Sequence, residues 1–237
     1  MVRTACSGSY TECSPRHLKN VKIDLTLPSD EVAVRKGLDE VAGMDELKAK
    51  FRRNFVQILR NPQIAKAYGI TSCNCTLLYG PQGCGKTFIA KKAAQESGLK
   101  YRIVNPSDLG FIYIHGAQEK IAETFRDAEK NAPIILIFDE FDAIAPKRDG
   151  ELNPNQANEV NELLTRLNNC AEKGVFVLAT TNRPELVDSA ILCTGRVDEM
   201  YYVSLPDFKA RHDIFSMELS KRPCGEDINL EALAQAT

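Results

Sequence analysis

The sequence predicts an α/β fold of three layers, in which a central parallel sheet of five strands lies between helices. Short apolar runs recur along the chain, and helical segments separate them. Runs that are apolar on both faces are typical of parallel strands covered by helices on either side. The chain has 237 residues, of which 43% are hydrophobic and 26% are charged, and this composition indicates a globular protein with one large core.

The predicted strands and helices alternate from Cys75 onwards. The strand candidates are Cys75–Tyr79, Tyr101–Val104, Ile134–Phe138, Val175–Ala179 and Met200–Val203. The helical segments between and after them are Thr87–Ala94, Gln118–Lys130, Gln156–Cys170 and Lys209–Ser220. An earlier helix is predicted over Asp45–Arg60, because apolar residues recur there at helical spacing before Asn61 and Pro62 end it.

Net charge, apolar runs and cysteine content limit the classes of function that the sequence supports. A net charge of −2 gives no electrostatic case for a nucleic-acid or membrane partner. No apolar run approaches the roughly 20 residues that span a bilayer, and Met1–Asn20 lacks the apolar centre of a signal peptide. The eight cysteines are scattered, and only Cys73 and Cys75 lie close together, which does not complete a zinc site. Reduced thiols suit a cytoplasmic location, which we therefore expect.

The segment Gly80–Thr87 (G-P-Q-G-C-G-K-T) is the most informative motif. Its glycines let the chain turn sharply from a strand into a helix and point successive N–H groups inward. Those donors suit a nucleotide phosphate, Lys86 suits the β and γ oxygens, and the Thr87 hydroxyl suits Mg²⁺. An accidental glycine-rich turn is the alternative, which the flanking strand and helix make less favourable. The expected nucleotide contacts here are Pro81, Gln82, Gly83, Cys84, Gly85, Lys86, Thr87 and Phe88.

Two acids end the apolar strand Ile134–Phe138. Ligands bind outside the carboxyl ends of strands in open α/β sheets. Asp139 is suited to hold Mg²⁺ through water, and Glu140 is suited to act as the base that orients the attacking water. The alternative is an ordinary polar turn, but the phosphate loop upstream favours the functional interpretation.

A polar residue also follows the strand that begins at Val175. Asn182 at this position is suited to contact the γ-phosphate or the attacking water. The sequence Asn-Arg-Pro is equally typical of a simple turn. This segment alone leaves both interpretations open.

Together these segments resemble the AAA family of ATPases over about residues 38–237. The similar pairs are Gly80–Thr87 with the family's GPPGTGKT loop, Phe138–Ile144 with IDE-hDAI, Ala179–Asp188 with ATNRPxxhD, and Gly195–Asp198 with GRFD. Ala145–Arg148 is similar to a segment of the valosin-containing-protein branch. Glu40–Gly43 is similar to the D-h-G-G segment that flanks adenine, which implies Val41 and Ala42 as further nucleotide contacts.

The resemblance implies a P-loop NTPase fold and Mg²⁺-dependent ATP hydrolysis in a ring, usually of six subunits. It divides the chain into an N-terminal arm or linker (1–37), a large nucleotide-binding domain (38–206) and the start of an incomplete helical lid (207–237). The resemblance implies that Arg196 is an arginine finger, a catalytic residue that acts on the site of the neighbouring subunit. It also implies catalytic roles for Lys86, Glu140 and Asn182. The chain departs from the family in carrying Cys193 where many relatives have a second arginine.

The same resemblance aligns Tyr113 and Ile114 with the aromatic–hydrophobic pair of the family's first pore loop, which grips polypeptide substrates. A local apolar cluster is the alternative for these residues. Asp149–Asn155 would form the second pore loop. The expected function is therefore ATP-driven remodelling, unfolding or threading of proteins. Two alternatives are the motor of an ATP-dependent protease whose protease part lies beyond residue 237, and an assembly scaffold with weak turnover.

Overall fold

The computed structural model describes residues 37–70, 72–110, 117–148, 154–221 and 228–237, and of residues 154–156 it describes the backbone alone. The predicted arm lies outside these ranges except for its last residue. The predicted pore residues Tyr113 and Ile114 also lie outside them, as does most of the predicted second pore loop.

Five strands in the described part of the chain form one parallel sheet. They are β1 (Cys75–Tyr79), β2 (Lys100–Val104), β3 (Ile134–Phe138), β4 (Val175–Thr181) and β5 (Val197–Tyr202). Their order across the sheet is β2-β3-β4-β1-β5, and all neighbouring strands are parallel. The carboxyl ends of β3, β4 and β1 therefore lie side by side at one edge.

Helices cover both faces of this sheet. The helices of the described ranges are α1 (Asp45–Phe51), α2 (Gln57–Arg60), α3 (Pro62–Ala67), α4 (Lys86–Ser97), α5 (Ala117–Lys130), α6 (Phe141–Ile144), α7 (Pro154–Leu167), α8 (Phe208–Leu219) and α9 (Leu230–Ala236), of which α1, α2, α4, α5, α6 and α7 contribute to the cores on the two faces. A π-helical turn, Arg52–Val56, joins α1 to α2. Within the described ranges, none of the helices has the length and apolar character needed to cross a membrane.

Alternate residues of the strands contribute to two cores. Leu77 of β1 and Leu136 of β3 pack into a core with residues of α5, α6 and α7. Leu78 and Ile137, their neighbours in sequence, pack into a second core with residues of α1, α2 and α4. Because successive strand residues face opposite sides, the sheet forms the middle of three layers. The predicted α/β architecture is confirmed.

The largest differences from the predicted elements are at β4, β5 and the first helix. β4 continues to Thr181 rather than ending at Ala179, because Thr180 and Thr181 remain in register with Leu78 and Tyr79 of β1. β5 begins at Val197 rather than Met200, since Val197 already pairs with Cys75 before the register shifts. The predicted helix over Asp45–Arg60 contains the π-helical turn, which its apolar spacing did not indicate.

A glutamate near the end of α4 holds the chain that precedes α1. Glu96 Oε2 accepts a hydrogen bond from Leu38 N at 2.7 Å, and Glu96 Oε1 accepts one from Arg52 Nε at 2.7 Å. Arg52 also pairs with Asp39 at 2.6 Å. The hydrogen bond to Glu96 raises the pKa of Arg52 above its usual range. Since the Glu96 side chain is only 10% exposed, its loss would leave these donors without their shared acceptor.

An ion pair joins the chain after α6 to the chain after β4. Arg148 Nε lies 2.6 Å from Asp188 Oδ2, and the Asp188 side chain is 4% exposed. Pro146 and Val187 form an antiparallel bridge beside this pair. Burial alone would raise the pKa of Asp188, but hydrogen bonds from Arg148 and from Ala190 N outweigh it and lower that pKa.

Helices α8 and α9 pack against each other, and α8 also meets the chain before α1. Arg211 in α8 donates from Nε to Ala234 O in α9 at 3.0 Å and from Nη1 to Pro206 O at 2.9 Å. Gly43 has φ +64°, and a Cβ there would lie 2.5 Å from Ala210 Cβ. Both its conformation and this close approach require glycine where the two segments meet.

We expect Glu96→Ala to lower the free energy of unfolding by about 2 kcal/mol, because Leu38 N–H and Arg52 lose a buried acceptor. Urea denaturation followed by circular dichroism measures the change. Glu46→Ala is the matched control, because Glu46 forms an exposed pair with Lys50 one helical turn away. We expect the control to leave the midpoint unchanged, and equal losses in both variants would contradict the anchoring role of Glu96.

The low pKa of Asp188 predicts an acid-sensitive contribution to stability. A carboxylate with a lowered folded pKa stabilises the fold above the unfolded pKa of about 3.9 and loses this effect as pH falls through the folded pKa. Asp188→Asn should therefore lower stability at neutral pH by about 1–2 kcal/mol and flatten its decline below about pH 4. Thermal unfolding across a pH series tests this, with Asp127→Asn in an exposed pair of α5 as control. A decline in acid as steep as that of the unaltered protein would contradict the assignment.

Candidate nucleotide site

Polar segments follow three neighbouring strands at the carboxyl edge of the sheet. The glycine-rich loop follows β1, Asp139 and Glu140 follow β3, and Asn182 follows β4. β3, β4 and β1 are consecutive in the sheet. The structure therefore brings these sequence-predicted groups to one edge, where open α/β sheets bind ligands.

Glycine is required in the loop for two different reasons. At Gly80, where φ is +151°, a Cβ would lie 2.2 Å from the carbonyl oxygen of Val203, so the backbones approach too closely for any side chain. Gly83 and Gly85 have φ of +81° and +86°, and a Cβ there would meet nothing within 4 Å. Their left-handed backbone leads directly into α4 at Lys86, and the N-terminus of α4 presents N–H donors suited to an anion.

Lys86 is buried inside this loop, with an exposed fraction of 7%. Its Nζ donates to the carbonyl oxygens of Gly80 at 3.0 Å and Pro81 at 2.6 Å. The thiol of Cys84 is also buried and donates to Pro81 O at 2.9 Å. The loop thus holds an ammonium group among backbone carbonyls, next to the N–H donors, which is suitable chemistry for phosphate oxygens.

Asp139 connects the loop to the neighbouring strands. Its Oδ1 and Oδ2 accept hydrogen bonds from Thr87 Oγ1 at 2.8 and 3.0 Å. Oδ1 also accepts hydrogen bonds from Thr180 Oγ1 and, at 3.2 Å, from Glu140 N. Hydroxyl and carboxylate oxygens of this kind are the ligands that Mg²⁺ prefers.

These residues fit Mg²⁺ only together with a phosphate. Among the described residues, no group of three or more His, Cys, Asp or Glu side chains is placed to hold a metal ion. Mg²⁺ commonly binds through one or two protein groups, several waters and the phosphates of a nucleotide. Thr87 and Asp139 match that pattern, so the metal and the nucleotide are expected to bind together.

Glu140 is exposed and has a left-handed backbone, with φ +51° and ψ +51°. This conformation is costly for a residue with a side chain and is concentrated at functional sites. It places the predicted base between the end of β3 and the first residue of α6.

Sequence analysis missed three further side chains beside Glu140. Thr180 donates to Asp139, and Thr181 Oγ1 donates to Asp142 Oδ1 at 2.6 Å. Both threonines are 1% exposed. The available signal was the pair of hydroxyl residues at the end of an apolar strand, next to Asn182.

The predicted adenine contacts lie beside α4. Val41 is buried in the core, and its carbonyl oxygen accepts a hydrogen bond from Lys48 Nζ at 2.9 Å. The preceding Glu40 pairs with Lys92 at 2.6 Å, and Lys92 Nζ lies 5.3 Å from the centroid of the exposed Phe88 ring. Lys92 thus links the segment that contains Val41 and Ala42 to the first turn of α4.

Arg196 lies apart from the other predicted catalytic residues. It immediately precedes β5, so it is at the amino edge of the sheet, opposite the phosphate loop. Its Nη1 donates to Ala190 O at 2.6 Å, and its Nε donates to Asn168 Oδ1 at 3.0 Å. The exposed Cys193 precedes it in the same turn.

The cysteines of the described ranges are free thiols. Burial raises the pKa of Cys170 to about 12 and that of Cys73 to about 12, and it raises the pKa of Cys75 well above its usual range. These three thiols are therefore protonated at neutral pH, which makes them poor metal ligands and nucleophiles.

Comparison with known proteins identifies the family. Residues 76–205 match the family described as "ATPase family associated with various cellular activities (AAA)". The chain is 36% identical to the ATP-dependent zinc metalloprotease FtsH of Aster yellows witches'-broom phytoplasma, over 84% of this chain and 30% of that protein. It is 35% identical to the cell division cycle protein 48 homolog of Archaeoglobus fulgidus, over 84% of this chain and 27% of that protein.

A human relative extends the comparison. The chain is 36% identical to the human ATPase family gene 2 protein homolog A, over 84% of this chain and 22% of that protein. The chain thus spans less than a third of the length of each of these relatives. Together with the geometry of the phosphate loop and its acidic strand, these matches show that the chain belongs to the AAA family of ATPases.

Proposed function

We propose that this ATPase hydrolyses ATP with Mg²⁺ at the carboxyl edge of the sheet. The observation that carries the proposal is the 2.8 Å hydrogen bond between Thr87 and Asp139, which joins the phosphate loop to the acidic strand. Glu140 immediately follows this contact in the chain, so a binding group and a candidate base are adjacent.

Each residue has a role in the proposed reaction. The N–H groups of the loop and of α4 bind the phosphates, and Lys86 stabilises charge on the β and γ oxygens. Thr87 and Asp139 would hold Mg²⁺, Asp139 through water, and the ion would supply neutralisation of the phosphate charge. Glu140 orients the attacking water and accepts its proton, while Asn182 hydrogen-bonds to that water or to the γ-phosphate.

The same proposal includes assembly into a ring, in which Arg196 completes the site of a neighbouring copy. Its support is the position of Arg196 at the amino edge, where it cannot approach the phosphate loop of its own chain. Ala190 O and Asn168 hold the guanidinium there. Such a planar, permanently charged group suits the charge that develops on the γ-phosphate. A hexamer is the expected form, with residues 207–237 belonging to its helical lid.

The proposed use of this cycle is remodelling of polypeptides in the cytoplasm. Tyr113 and Ile114 are the proposed gripping residues, since aromatic and aliphatic side chains bind a polypeptide through contact area without reading its sequence.

One relative is named an ATP-dependent zinc metalloprotease, so the motor of a protease is a second candidate, although the 237 residues contain no H-E-x-x-H motif. Phosphate release measured with and without an unfolded protein separates a remodelling motor, which is stimulated, from a scaffold with weak turnover.

We expect Glu140→Gln to keep ATP affinity within about twofold and to reduce hydrolysis at least a hundredfold, because the amide keeps the shape but cannot accept the proton. Calorimetric ATP titration and steady-state phosphate release measure the two effects. Glu129→Gln is the matched control, because Glu129 lies on α5 and forms an exposed pair with Lys173. This variant should behave like the unaltered protein. Normal hydrolysis by Glu140→Gln would show that the catalytic assignment is wrong.

We expect Arg196→Ala to lower hydrolysis in the assembled ring at least tenfold while leaving nucleotide affinity nearly unchanged, because the arginine acts on a neighbour. Rings mixed from Arg196→Ala and Glu140→Gln subunits should recover part of the activity, since some interfaces combine an intact base with an intact arginine. Native mass spectrometry verifies the mixing. Mixed rings without any recovery would contradict action between subunits.

A further inference from the structure

The turn that carries Glu140 is held at two points by the end of β4. Asp139 and Asp142 stand on either side of Glu140 and Phe141, and each accepts a hydrogen bond from one of two adjacent threonines. Successive residues of a strand point to opposite faces of the sheet. Thr180 and Thr181 therefore hold this turn from both faces, through one aspartate each.

The two hydrogen bonds differ in what they accomplish. Asp139 already belongs to the proposed metal site through Thr87. Asp142 lies in α6 and is bound by Thr181 at 2.6 Å, and neither nucleotide binding nor the proposed chemistry gives it a role. This second contact is the one that the mechanism leaves without an explanation.

The Thr181 hydroxyl also fixes the backbone around Asn182. While it donates to Asp142, its oxygen accepts a hydrogen bond from Arg183 N at 3.0 Å. Asn182 lies between Thr181 and Arg183 in the sequence. One buried hydroxyl therefore constrains the backbone on both sides of Asn182. A buried group that is satisfied as both donor and acceptor has a single favoured orientation.

We propose that Thr181, acting through Asp142, is a positioning residue that sets the placement of Asn182 relative to Glu140. This inference rests on the proposed roles of those two residues in ATP hydrolysis. Neither Thr181 nor Asp142 needs to touch the nucleotide. Their contact fixes the geometry between the group that orients the attacking water and the group that contacts the γ-phosphate, and small displacements of such groups slow catalysis strongly.

The proposal predicts a specific kinetic signature. Thr181→Val keeps the approximate shape of the side chain but removes the hydroxyl, so kcat should fall about tenfold while KM for ATP stays within about twofold. Thr181→Ser restores the hydroxyl and should retain at least about half of the kcat, because the same two hydrogen bonds can form. Thr165→Val, on the exposed face of α7 where the hydroxyl donates to Asn161 O of its own helix, is the matched control and should leave kcat unchanged.

Asp142 provides the second half of the test. Asp142→Ala removes the contact with Thr181 but leaves the hydrogen bond from Arg183 N, so it should lower kcat by no more than Thr181→Val does. The double variant should be no slower than Thr181→Val, because that variant already lacks the contact with Asp142. Asp142→Asn keeps an acceptor oxygen and should remain close to the unaltered protein. Thermal unfolding identifies any variant that fails to fold, and if Thr181→Val does not fold, Asp142→Ala and the serine variant decide the question.

All variants are measured as the full protein in its assembled form, beside Glu140→Gln. A folded Thr181→Val with normal kcat, a loss expressed in KM alone, or a double variant slowed by the product of the single effects would each overturn the inference. Normal hydrolysis by Glu140→Gln would instead remove the catalytic role of Glu140 on which this inference rests. An inactive Glu140→Gln beside an unaffected Thr181→Val would remove only the positioning role.

Discussion

Three segments that are far apart in the sequence are joined through the carboxylate of Asp139, which accepts hydrogen bonds from Thr87 at the start of α4 and from Thr180 in β4. This arrangement requires β3 to lie next to β4 and β4 next to β1, as the strand order provides. The Asp139 carboxylate is partly buried, and these hydroxyl donors satisfy its oxygens. The contact that satisfies Asp139 also places the phosphate loop beside Glu140.

The surrounding contacts keep this edge of the sheet in place. Glu96 fixes the chain before α1 against the far end of α4, the helix that begins with Lys86. Arg148 and Asp188 join the chain that follows Glu140 and α6 to the chain that follows Asn182. Both anchors use a carboxylate that is almost fully covered, so each depends on its cationic partner. The site is thus built on rigid strands, and polar contacts set the spacing of its loops.

Sequence patterns predicted most of the architecture, because strands and turns depend mainly on residues that are near one another in the sequence. The buried strands β1 and β3 are continuous apolar runs, and the glycines of the phosphate loop mark positions with positive φ. The start of β5 was misplaced because its first residues include two acids, which do not show the apolar pattern of a buried strand. Asp142 and the two threonines were missed because their partners lie about forty residues away in sequence, and no periodicity within one segment encodes a contact between segments.

Binding of ATP with Mg²⁺ at the carboxyl edge is the central claim, and the affinity of the unaltered protein compared with Lys86→Ala tests it most directly. Lys86 is the buried cation of the loop, so its loss should weaken binding at least tenfold in calorimetric titrations with Mg²⁺·ATP, while circular dichroism shows an unchanged fold. An unaltered protein that binds no ATP, or a folded Lys86→Ala variant that binds it equally well, would contradict this account.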